Sequence, residues 1–96
     1  MLRIGNIQEG AETMADTKEG SAEILVALGE TIRAQRHRAG LTQAELAELA
    51  GIGRLHLHHV ESGRRNPTVV VLVNLAKGLG VSAGELLGDV SAARTS

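Results

Sequence analysis

Thr42-Gln43-Ala44-Glu45-Leu46-Ala47-Glu48-Leu49-Ala50-Gly51-Ile52-Gly53-Arg54-Leu55-His56-Leu57-His58-His59-Val60-Glu61 carries the architecture of this chain. It opens on a capping box, in which Thr42 and Glu45 each satisfy a backbone N–H of the other. The first apolar segment closes at Gly51, where a residue just past a helix often takes the left-handed conformation. A second periodic segment begins after only Gly51-Ile52. Two short helices joined so tightly cross at a steep angle, and Ala47 must be small because the second helix passes over it. This is a helix-turn-helix unit.

The flanks supply a second clue. A helix turns by about 100° per residue, so positions three, four and seven apart share a face. On a preceding helix, Leu25, Leu28, Ile32 and Ala39 form one stripe, and Arg36 lies within it. On the helix after the turn, Gly53, Leu57 and Val60 form the inward face, and Glu61 lies on its edge. A half-buried charge needs a partner. Arg36 and Glu61 are of opposite sign, so their pairing predicts that these two helices pack together and leave the outer face of the later one free.

Similar punctuation divides the rest. Gly40, Gly63 and Gly80 follow apolar periodic segments, Ser82-Ala83-Gly84-Glu85 is a second capping box, and Pro67-Thr68 ends an extended turn and caps the next segment. Five helices are predicted, at about 23–39, 42–50, 53–62, 68–79 and 82–88. Val69 to Val71 has strand propensity, but the continuation Leu72, Leu75, Ala76 and Leu79 argues for helix. Residues 1–22 read as a disordered acidic tail, 23–90 as the folded domain and 91–96 as a frayed C-terminal tail. Met14 offers an alternative translation start.

Composition narrows the function. There is no cysteine, which excludes disulfides and thiolate metal sites. There is no Phe, Trp or Tyr, so the core must be Leu, Val, Ile and Ala, and aromatic stacking on single-stranded nucleic acid is excluded. The net charge of −1 hides an asymmetry. Residues 1–23 hold Arg3 and Lys18 against Glu9, Glu12, Asp16, Glu19 and Glu23, a net of −3. Residues 24–88 hold Arg33, Arg36, Arg38, Arg54, Arg64, Arg65 and Lys77 against five acidic residues, a net of +2. No apolar run is long enough to span a bilayer and no signal pattern opens the chain, so the expectation is a cytoplasmic protein with no membrane partner.

At this point the residues resemble a family. Leu28-Gly29-Glu30-Thr31-Ile32-Arg33 with Arg36, Gly40 to Ala47, Gly51-Ile52-Gly53, Val60-Glu61-Ser62-Gly63-Arg64-Arg65-Asn66-Pro67-Thr68, Leu75 to Ser82 and Leu86-Leu87 are similar to the phage-repressor and Cro-like (XRE-type) helix-turn-helix regulators. The resemblance covers residues 28–87 and implies an all-α, compact five-helix domain of the lambda-repressor type. In that family an Arg of the first helix pairs with a Glu of the recognition helix, and the match falls on Arg36 and Glu61.

The resemblance also implies a non-enzymatic, cofactor-free transcriptional regulator whose partner is double-stranded DNA. With Leu57 inward, Leu55 and His59 lie about 160° away on either side. The family's base-reading positions map onto Arg54, Leu55 and His59. Arg54 suits a bidentate contact to guanine, His59 a guanine N7 or O6, and Leu55 a thymine methyl. Phosphate contacts are expected from Gln43, where the second helix presents its positive dipole end, and from His58, Ser62, Arg64, Arg65 and Asn66. Gly53 departs from the family, whose members usually place Ser or Thr there.

Other readings compete. Arg64 and Arg65 also fit ordinary surface charge. His56 and His59, spaced i, i+3, have the reach to share an ion, but no carboxylate or cysteine accompanies them, so no metal site is expected. No nucleophile–base pair or phosphate-cradling loop is recognisable. Leu49, Leu55, Val70, Val71 and Val73 are candidates for an exposed interface; Val70 and Val73, with Leu86, Leu87 and Val90, fit a homodimer contact as well as they fit core filling. The expectation is a homodimer on a palindromic operator, with polymerase as a protein partner. The alternatives are the antitoxin of a toxin–antitoxin pair, a restriction–modification controller protein, or a purely protein-binding helical adaptor.

Overall fold

Ser21–Arg38 (α1), Gln43–Ala50 (α2), Arg54–Glu61 (α3), Val69–Leu79 (α4) and Ala83–Thr95 (α5) are the helices of the computed structural model, which describes residues 21–95. Among the described residues there is no strand. The stretch Val69 to Val71 opens α4, capped by the Thr68 side chain, whose Oγ1 accepts from the Val71 N–H at 3.1 Å. Both capping boxes form. The Glu45 N–H donates to Thr42 Oγ1 at 3.0 Å while the Thr42 N–H donates to Glu45 Oε1 at 2.9 Å. Ser82 and Glu85 repeat the exchange at 3.1 and 3.2 Å. Between α2 and α3, Gly51 has φ +73°, a conformation L side chains rarely adopt, and this reverses the chain within three residues.

The core is aliphatic throughout. Ile32, Leu46, Leu57, Val60, Leu75 and Leu86 are fully buried, one or more from every helix. α1 packs against α5 and α3; α4 packs against α2 and α5; α2 packs on α3. Ala47 is buried where α2 meets its neighbours, as its size requires. Gly29 marks an equally close approach. A Cβ there would stand 2.4 Å from the Glu61 carbonyl oxygen and 2.6 Å from that of Val60, both backbone atoms. Only a residue without a side chain lets α1 lie this tightly on the end of α3.

Several boundaries differ from the expectation. Ala39 is exposed rather than part of the α1 stripe, because the helix ends at Arg38 and its register ends with it. Gly53 is exposed rather than inward, since it is the N-cap of α3 and lies outside the periodic segment. α5 runs to Thr95 instead of stopping near residue 88, so most of the stretch expected to be a frayed tail is helical. Leu86 and Val90, one turn apart, are buried in the core and not available to a partner; Leu87 between them is 45% exposed. Ser21 and Ala22, assigned to the tail, belong to α1, and the rest of the acidic tail, with Met14, lies outside the described residues.

Gly29→Ala is the sharpest probe of this packing. The added methyl meets backbone on α3, which cannot swing aside, so stability should fall by roughly 1–3 kcal/mol or more. Thermal denaturation should show a clear drop in Tm. An unchanged Tm would mean that α1 and α3 do not approach so closely.

Candidate nucleic-acid interface

Arg36 and Glu61 meet as their stripes predict. Arg36 Nε donates to Glu61 Oε2 at 2.7 Å and Nη2 donates to Oε1 at 3.1 Å, a bidentate contact with both residues buried. Two further bonds complete the site. Arg36 Nη1 donates to the Leu41 carbonyl at 2.9 Å, and Gln43 Nε2 donates to Glu61 Oε1 at 2.9 Å. The ion pair therefore binds α1, the loop before α2, the first residue of α2 and the end of α3 to one another. Removing one partner from such a pair leaves an uncompensated buried charge.

With Leu57, Val60 and Glu61 locked inward, the rest of α3 is fixed by its pitch. Arg54, His58 and the C-cap Ser62 follow one another at intervals of four, Leu55 and His59 form the adjacent row, and together they make a continuous outward arc. Arg54, Leu55, His58 and Ser62 are exposed and His59 is half-buried. Leu55 is 62% exposed, a large aliphatic surface in water without a core neighbour to explain it. The rings of His58 and His59 lie 5.7 Å apart, tilted by 50°. His56 sits to the other side, half-buried; its pKa is lowered, first by burial and then by the positive charge of Arg65 and by His59. Among the described residues no group of three or more His, Cys, Asp or Glu side chains is arranged to hold a metal ion.

The arc has a cationic flank. Arg64, Arg65 and Asn66 are exposed in the turn after α3, and none of the three makes a side-chain hydrogen bond or ion pair within the described residues. That turn is held by backbone bonds, the Arg64 N–H to the His59 carbonyl at 2.9 Å and the Gly63 N–H to that of Val60 at 3.1 Å. On the opposite flank stands Gln43, at the start of α2. Its side chain is engaged by Glu61, which the sequence reading did not anticipate, and what it presents outward is the helix N-terminus with its unpaired backbone N–H groups. Ser62 Oγ donates to the His59 carbonyl at 3.2 Å. Arg33 was overlooked: it shares a solvent-open recess with Gln43, His58, Glu61 and Ser62. Its place three residues before Arg36, on the same side of α1, was the available signal.

Glu61→Ala tests the frame of the site. Arg36 would be left buried without its counter-charge, and stability should fall by about 3–5 kcal/mol. Chemical denaturation of both proteins reads this difference; an equal midpoint would remove the ion pair from the account.

A model of a helix-turn-helix domain family matches residues 27–87. The transcriptional regulator y4dJ of Sinorhizobium fredii is 43% identical over 60 residues, which is 62% of this chain and 78% of that protein. Control protein C.SmaI of Serratia marcescens is 40% identical over 60 residues, 62% of this chain and 71% of its own length. Among solved structures, the restriction-modification controller protein C.AhdI from Aeromonas hydrophila superimposes with a TM-score of 0.64 at 39% identity, covering 65% of this chain and 94% of that one. Residues 27–87 include the ion pair, the tight turn and the outward arc alike, and the chain belongs to the helix-turn-helix family of transcriptional regulators.

Proposed function

We infer that the protein regulates transcription as a homodimer on double-stranded DNA, each subunit laying α3 in a major groove. The observation that carries this reading is the outward arc on a helix whose opposite face is locked. An α-helix fits the major groove, and residues near its N-terminus reach base edges. Arg54 in the first turn of α3 is the reader of guanine, Leu55 packs on a thymine methyl, and His59 donates to a purine edge. Arg64, Arg65, Asn66, His58, Ser62 and the start of α2 hold phosphates, which fixes register without reading sequence. Regulation is by occupancy in the cytoplasm, blocking or recruiting polymerase.

The dimer contact is drawn from the aliphatics that remain in water. Val69 is 76% exposed and Val70 67%, on α4, and Leu87 lies on α5, which packs against α4. Exposed apolar residues gathered on neighbouring elements mark an interface. Two subunits joined there would read half-sites about 10 bp apart on one face of the duplex. A second reading is a restriction–modification controller, favoured by the likeness to C.SmaI and C.AhdI.

Selection of bound duplexes from a random library should return a two-fold symmetric site with that spacing; recovery of no enriched sequence would defeat the claim of specificity. Replacing Arg64 and Arg65 together with alanine should weaken binding to all sequences and lower the salt slope by about two, measured by titration at several salt concentrations. A helical adaptor for proteins would show no such change. Arg54→Ala should relax preference at one position per half-site, at a cost of roughly 1–3 kcal/mol there, while binding persists.

A further inference from the structure

The recess between α1 and α3 is lined by Arg33, Gln43, His58, Glu61 and Ser62 and opens to solvent. Most of its polar groups are already engaged. Glu61 holds Arg36 and Gln43, and Ser62 Oγ donates to the His59 carbonyl. Arg33 and His58 are the exceptions: neither side chain makes a hydrogen bond or ion pair within the described residues, although His58 lies near the His59 ring. Both are exposed, and they come from different helices.

The charges around His58 set what this opening can hold. From α1 come Arg33 in the recess and Arg36 behind Glu61; from α2 comes the neutral Gln43 at a helix N-terminus. On α3 itself stand Arg54 one turn earlier, His59 beside it, and Glu61. Arg36 balances Glu61, so Arg33 leaves the recess net positive. The Glu61 carboxylate still opposes a close anion, and a neutral imidazole does little to offset it. A protonated imidazole adds both a charge and a second N–H donor.

We propose that Arg33 and His58 clamp one backbone phosphate of the bound duplex across this recess, and that His58 takes up a proton from solvent as the phosphate seats. The inference rests on the reading that α3 enters a groove, which puts the arc and its edge against the sugar–phosphate backbone. His58 itself takes up at most one proton per subunit. The pKa of His56 is lowered by burial and by the positive charge of Arg65, which works against its taking up a proton. Because the bound state holds more protons than the free state, affinity must rise as pH falls. DNA binding by this protein is therefore coupled to pH in the range where imidazole titrates.

The test is a fluorescence anisotropy titration of the full chain with a short mixed-sequence duplex, at constant ionic strength, between about pH 6 and pH 8. Affinity should increase toward low pH with a slope approaching tenfold per pH unit. His58→Gln, which cannot take a proton, should bind more weakly than the wild type, by a margin that widens toward acid pH, and should lose the slope. Arg33→Gln should lower the salt slope by about one and blunt the pH slope as well. A wild-type affinity that ignores pH, or a His58→Gln protein that keeps the full slope, overturns the clamp while leaving DNA binding intact. Absence of binding at every pH overturns the DNA-binding reading and the clamp together.

Discussion

The buried contact between Arg36 and Glu61 is the constraint on which the geometry of this domain depends. Burying two charges costs several kcal/mol per ion, and the attraction between them repays this only with good geometry and with the remaining polar atoms satisfied. Both conditions are met. The contact is bidentate, Leu41 supplies a carbonyl to the third guanidinium nitrogen, and Gln43 donates to the carboxylate. A Leu–Leu contact would fill the same space at less risk, but it would tolerate a rotation of α3 about its own axis. The ion pair does not. Its directional bonds fix the angular setting of α3, and with it which side chains face outward. Gly29 acts in the same sense, since the absence of a Cβ lets α1 seat against the last carbonyls of α3.

How far the sequence discloses this can be judged residue by residue. Arg36 and Glu61 were legible because helical pitch alone places each on a buried stripe, and only opposite charges can meet there. The capping boxes at Thr42 and Ser82 were legible because they depend on contacts three residues apart. What was not legible depends on the angle between elements. Gln43 turns toward Glu61 only because α2 starts beside the end of α3, and Arg33 shares a recess with His58 only because α1 packs on α3 there. Leu86 and Val90 show the same limit in the core. Their spacing marks an apolar edge, but a single helix cannot reveal whether α1 or a second subunit covers it; α1 does. Ala39 and Gly53 leave their stripes for a simpler reason: each lies one residue outside its helix, where helical pitch no longer sets direction.

The formal charge of −1 is a poor guide to what this surface attracts. Over residues 24–88 the balance is positive, and within it Glu61 is neutralised internally by Arg36. Among the described residues Arg33, Arg54, Arg64 and Arg65 have no carboxylate partner of their own, and they stand on or beside the outer side of α3. Fields that steer a polyanion depend on such local distributions rather than on the sum over the chain.

The composition of α3 also explains how a domain without a single aromatic ring beyond histidine can present a specific surface. Its inward positions, Leu57, Val60 and Glu61, are buried and constrained by packing and by the ion pair. Its outward positions are far less constrained: Arg54, Leu55 and His58 are exposed and His59 is half-buried. Leu55 is an apolar side chain left in water, His58 and His59 are only moderate helix formers, and Gly53 gives up the side-chain cap that would compensate. A helix of eight residues is too short to hold its shape by propensity alone, so its neighbours must hold it. Stability comes from one face, and the other is left open to solvent. The separation lets the outer residues be chosen for what they touch beyond the protein, because the inner face has already fixed where they stand.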